Sequence, residues 1–100
     1  MRRLTTPKHR FTLQLDPSVI SKIRITYAQN NAIFLTKENE DVSIDGNVAT
    51  VKLTQEETKK FTADKEVEIQ VRVLTIGDDA RASDIIKVDV QKVLDDEVMV

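Results

Sequence analysis

The chain has no cysteine, no tryptophan, one histidine, two glycines and two prolines in 100 residues. Without cysteine there is neither a disulfide nor a thiolate metal site to staple the fold, so the core must hold by packing alone. Glycine occurs only at Gly46 and Gly77, both in turn-like contexts, so there is no glycine-rich phosphate loop and nucleotide hydrolysis has no support. The single histidine, His9, sits in a basic lead-in with no serine beside it, which gives no nucleophile–base pair. It reads as an exposed side chain. Apolar runs reach only a few residues, far short of the roughly 20 that span a bilayer, and the first residues lack the apolar stretch of a signal peptide. A chain of this length makes one domain with one core and little room for a deep cleft. No membrane partner is expected, and a cytosolic origin is.

Net charge is −2, unevenly spread, because Arg2, Arg3, Lys8 and Arg10 all precede the first acid, Asp16. A basic lead on an acidic body with no interleaved aromatics is a weak nucleic-acid footprint, and none is expected as a partner. The segment Met1 to Pro7 has no periodicity and ends in Thr5-Thr6-Pro7, where proline favours an extended chain. Residues 1–7 are therefore read as an extended N-terminal arm, residues 8–94 as the domain and residues 95–100 as a C-terminal tail.

The clearest local signal is Glu66-Val-Glu-Ile-Gln-Val-Arg-Val73, where polar and apolar residues alternate without a break. A period of two puts Val67, Ile69, Val71 and Val73 on one face, as in a half-buried β-strand. Phe11, Leu13 and Leu15 alternate in the same way before the turn Asp16-Pro17-Ser18, giving a first strand over Lys8 to Leu15. Ile23, Ile25 and Tyr27 mark a second strand closed by Gln29-Asn30-Asn31, and Ala32 to Lys37 returns antiparallel to it. Asp45-Gly46-Asn47 separates Val42–Ile44 from Val48–Leu53 as a tight hairpin. Thr54-Gln-Glu-Glu57 matches a helix capping box, and Phe61 follows so soon that a single helical turn is expected. Ile86, Val88 and Val90 form a last strand, paired with the Glu66–Leu74 strand through a loop of about six residues. Charge would favour Arg72 opposite Asp89 in that pair.

The fold class expected is all-β: an antiparallel two-sheet β-sandwich, immunoglobulin-like, of about seven strands with one short helical turn near 54–61. Phe11, Phe34, Phe61 and Tyr27 supply the bulk that tryptophan and a disulfide give in antibody domains.

No constellation in the sequence points to catalysis, and no enzyme, cofactor, metal or small-molecule substrate is expected. The carboxylate groups Glu38, Glu40 and Asp41; Asp78 and Asp79; and Asp95, Asp96 and Glu97 lie in loops or the tail without the spacing of a calcium loop. Glu56-Glu57 and Lys59-Lys60 read as the wet face of one helical turn. Interaction surface remains. Sheet edges must be charged or covered, and one cover is an arm or strand from a neighbour. Arg2, Arg3, Thr5, Thr6 and Pro7 suit such an arm, with a disordered terminus as the other reading; Val98, Met99 and Val100 after an acidic spacer invite the same pair of readings.

The order of the segments carries a resemblance. Thr5-Thr-Pro7 before an alternating strand, Ile23-Arg-Ile-Thr-Tyr-Ala-Gln29, Val51-Lys-Leu-Thr-Gln-Glu-Glu-Thr58, Val67–Val73 and Ser83-Asp-Ile-Ile86 together resemble small β-sandwich proteins of phages and prophages of gut Firmicutes. More distantly, the chain is similar to the N-terminal β-sandwich domain of phage baseplate upper proteins, which continue into linkers and receptor-binding parts where this sequence stops. The resemblance implies a virion structural or assembly protein, baseplate- or adaptor-like, assembled in the bacterial cytoplasm and contacting itself or other phage structural proteins. The other reading is a monomeric binding module whose loops, around Asn30-Asn31, Glu38 to Asp41 and Gly77 to Ala82, recognise a bacterial protein or glycan.

Overall fold

The computed structural model describes residues 1–95 and 97–100. Among them are eight strands: β1 (Lys8–Thr12), β2 (Ile20–Gln29), β3 (Ala32–Glu38), β4 (Val42–Asp45), β5 (Val48–Lys52), β6 (Glu66–Thr75), β7 (Ala80–Ala82) and β8 (Ile86–Asp89). One short helix, α1 (Gln55–Lys59), joins β5 to β6, and single 3-10 turns sit at Pro17–Val19 and Asn39–Asp41. The strands form two antiparallel sheets, ordered β1-β5-β4 and β3-β2-β6-β7, with β8 also paired to β6. The expected small two-sheet antiparallel β-sandwich is the architecture found.

The period-two faces meet in the middle. Ile23, Ile25 and Tyr27 of β2 stand opposite Val73, Val71 and Ile69 of β6, and all six are buried. Ala49 and Val51 of β5, Val42 of β4 and Leu53 close on them from the second sheet, with Phe61 behind α1. Tyr27 and Phe61 pack with ring centroids 6.0 Å apart, and Phe34 stacks on Phe61 at 6.2 Å. Such aromatic pairs add to what their buried area alone contributes.

Turn chemistry sets the registers. Gln29 pairs with Ala32, and the two residues between them, Asn30 and Asn31, both take positive φ, which asparagine tolerates and a two-residue hairpin loop requires. In the β4–β5 hairpin Asp45 is itself paired with Val48, so the loop is Gly46-Asn47 and the positive φ of 58° falls on Gly46. The capping box on α1 is complete: the Thr54 hydroxyl accepts from the Glu57 N–H at 3.1 Å, and Glu57 Oε1 accepts from the Thr54 N–H at 2.8 Å.

Two expectations about strands are corrected. The first strand ends at Thr12 rather than Leu15, although Leu13 remains buried and its N–H donates to the Asn47 carbonyl at 2.6 Å. The last hairpin does not set Arg72 against Asp89. Thr75 N–H donates to the Asp79 carbonyl and Asp78 N–H to the Thr75 carbonyl, with Asp78 at positive φ, so the chain returns at once and an additional short strand, β7, starts at Ala80. Arg72 therefore faces Ala82, while Asp89 faces Glu66 and Lys87 faces Glu68. Ser83 makes the break between the two short partners of β6. Its N–H donates to the Val71 carbonyl at 2.8 Å and its hydroxyl accepts from the Val71 N–H at 3.0 Å, so the ladder loses no bond where β7 stops.

Candidate functional site

The two sheets are closed on each other at one end of the molecule and left apart at the other. At the closed end, polar groups are drawn into the core and satisfied there. His9 of β1 approaches Tyr27 of β2 across the sheets, Nδ1 to Oη 2.6 Å. Burial, and then the positive N-terminus, lower the His9 pKa below its usual value. Burial, and then the Glu57 charge, raise that of Tyr27. Both shifts favour the uncharged form of each ring, joined by one hydrogen bond between Nδ1 and Oη. His9 is half-buried, which corrects the expectation that it is exposed.

Glu57 is corrected in the same way. Its Oε2 meets Lys37 Nζ at 2.6 Å, with only 11% of the lysine and 18% of the glutamate side chain exposed. Burial pushes the Glu57 pKa up, but the hydrogen bonds from Lys37 and the Thr54 N–H, with the charge of Lys37, outweigh it and leave the carboxyl below its usual range. One carboxylate thereby caps α1 and ties it to β3. The amide of Gln29, 1% exposed, accepts from the Thr62 N–H at 2.7 Å and donates to the Thr62 carbonyl at 3.0 Å. These groups bind one another, and their chemistry is spent on holding the closed end.

The N-terminal arm lies on this same end of its own domain. The Met1 ammonium donates to the Asp89 carbonyl at 2.8 Å, Gln91 N–H donates to the Met1 carbonyl and Arg3 N–H to the Gln91 carbonyl. The fully buried Thr58 hydroxyl accepts from the Thr5 N–H at 3.1 Å and donates to the Thr5 carbonyl at 3.0 Å. The Pro7 carbonyl accepts from Leu53 N–H, and Thr6 is exposed. Arg2 and Arg3, whose side chains donate to the Lys92 and Lys59 carbonyls, run along β8 and α1. Of the tail, Asp96 lies outside the described residues; Met99 N–H and C=O pair with the side-chain amide of Gln55 at 2.8 and 2.9 Å, Val98 is half-buried, and Met99 and Val100 are exposed.

At the other end the sheets part between two edge strands, β1 of the smaller sheet and β7 of the larger. The opening is a groove of about 360 Å³ whose floor is apolar: Phe11, Leu13, Leu15, Val71, Val73 and Ile86. Val71 and Val73 of β6 reach the groove while remaining buried. Arg10 and Arg81 also line the groove, both exposed. Arg81 is paired opposite Val73 and so shares its face, an inward position where alternation calls for an aliphatic residue. The groove is thus an apolar trough between two edge strands, flanked by two arginines that have no ion-pair partner among the described residues.

A second, polar depression of about 510 Å³ lies beside the β2–β3 turn, lined by Asn30, Asn31, Asp64, Glu68, Lys87 and Asp89 among others. Among the described residues, no cluster of three or more His, Cys, Asp or Glu has the geometry to hold a metal ion, and no helix is long and apolar enough to cross a membrane. Of the residues that matter here, the alternation of Phe11, Leu13 and Leu15 signalled an apolar face, whereas Arg81 and the meeting of β1 with β7 had no signal in the sequence. In comparisons with protein-family models, curated proteins and solved structures, nothing matches the chain.

Proposed function

We propose that this chain is a structural or assembly component of a phage or prophage virion, baseplate- or adaptor-like, that acts through contacts with copies of itself or with other virion proteins. The observation that carries the reading is the groove between β1 and β7, which is apolar, open along two strand edges and rimmed by Arg10 and Arg81. Unpaired edges with an apolar trough favour an added strand or segment over a small substrate, because backbone hydrogen bonds give the affinity and side-chain pockets the register. High copy number in a particle lets weak edge contacts suffice through multivalency. The segment resemblance supplies the phage context.

Quantitative mass spectrometry of particles purified after induction of the host strain tests this. Presence at a fixed ratio to the major capsid protein is the expected result. Absence from particles, with the chain abundant in the infected cytosol, overturns it. The polar depression at Asn30 and Asn31 favours one second reading, a monomeric module that recognises a bacterial protein or glycan at that turn. Under it, substitution of Asn30 and Asn31 removes binding to the host surface and particle content does not matter.

A further inference from the structure

We infer that the groove of one copy receives the C-terminal segment Leu94–Val100 of a second copy, so that the chain assembles head to tail. The inference rests on the proposed assembly role and names the partner for it. The segment and the groove match in two respects. The first is polarity. Leu94 and Met99 are 98% and 81% exposed, large apolar side chains without cover in the single chain, while the groove floor offers Phe11, Leu13 and Leu15. The second is charge. Asp95 and Glu97 precede the apolar Val98-Met99-Val100, and the groove carries Arg10 and Arg81 with no acid of their own among the described residues.

Position decides for a second copy over the chain's own groove. The tail is held at Gln55, three residues beyond Lys52, which pairs with Lys8 at the start of β1. The groove runs off the far end of β1, past Thr12. Donor and acceptor surfaces thus lie at opposite ends of one strand, which makes the contact heterologous: it propagates or closes into a ring rather than forming a two-fold pair. Among the described residues, the tail gives up two hydrogen bonds to the Gln55 amide and the partial burial of Val98 when it leaves, and gains cover for Leu94, Met99 and Val100.

Sedimentation velocity of the full chain across a concentration series tests the contact. The sedimentation coefficient is expected to rise with concentration. Asp95→Lys with Glu97→Lys, and separately Arg10→Glu with Arg81→Glu, each place like charges together and weaken association by about tenfold or more. An equimolar mixture of the two double variants restores it, because each tail then meets a groove of opposite sign. All four residues are exposed, so circular dichroism should report an unchanged fold; if either double variant fails that check, Met99→Asp, outside the core, takes its place and must lower association alone. A chain that stays monomeric at every concentration, reversals without effect, or a mixture that does not recover each overturns the inference. A monomeric chain that is nonetheless found in particles at a fixed ratio defeats this contact and leaves the virion role standing.

Discussion

The two ends of the sandwich are made from the same strands and treat their interior in opposite ways. At the His9 end the arm, α1 and β8 cover the seam, and polar side chains that enter pair with one another or with the backbone: His9 with Tyr27, Lys37 with Glu57, Gln29 with Thr62, Thr58 with Thr5. At the Leu15 end β1 stops at Thr12, β7 is only three residues long, and the apolar floor is left open under two arginines. Paired polar groups are concentrated where the seam is closed, and open apolar surface where it is not. Buried polar networks of the first kind are costly when one member is lost, whereas an open apolar edge loses little by change until something binds to it.

That contrast is broken most sharply by truncating one aromatic at the closed end. Phe61→Ala should cost about 3–5 kcal/mol, read from urea unfolding, while Ile86→Ala in the open groove should cost less than about 1 kcal/mol. Next comes Glu57→Gln, which leaves the largely buried Lys37 without its counter-charge and weakens the cap of α1. A loss of about 2 kcal/mol is expected. The same carboxyl sets an acid limit. Its folded pKa is depressed, so its contribution is complete above the unfolded value near 4.5 and is lost as pH falls through the folded pKa. Denaturation midpoints measured down an acid series should show a decline that Glu57→Gln removes.

His9 gives a gentler dependence at higher pH. Because its folded pKa is also lowered, its stabilising effect is complete above the unfolded value of 6.5 and fades as pH falls from there toward the folded pKa. His9→Phe should flatten that stretch of the stability profile, and nuclear magnetic resonance titration of the His9 ring should find its midpoint below 6.5. The smallest effect belongs to the exposed pair on the outer face. Arg24 meets Glu38 at 2.8 Å with half of each side chain in water, and Arg72 stands opposite Arg24 on β6. Glu38→Gln should cost no more than about 0.5 kcal/mol in the same unfolding assay.

How much of this was legible follows from range. The β6 face, the capping box at Thr54 and the Gly46 turn are written in consecutive residues, so period and turn chemistry revealed them. The split of β6 between β7 and β8 was not, because Ala80-Arg81-Ala82 is only three residues long and its inward position is an arginine. In sequence His9 and Glu57 look solvated since both are polar in polar stretches; what buries them is the approach of β1 to β2 and of α1 to β3, pairings between residues 18 and more positions apart. The groove was half legible. Phe11, Leu13 and Leu15 announced an apolar face, but only the early end of β1 and the shortness of β7 leave that face uncovered.

Hydrogen exchange of the full chain, followed residue by residue at low and high protein concentration, tests the contrast most directly. Tyr27, Val67 and Ile69 amides are expected to exchange only through global unfolding at both concentrations. Residues 13–15 and 80–83 should exchange much faster in dilute protein and become protected on concentration. Equal protection at the two ends, or a groove end that concentration leaves unchanged, would contradict it.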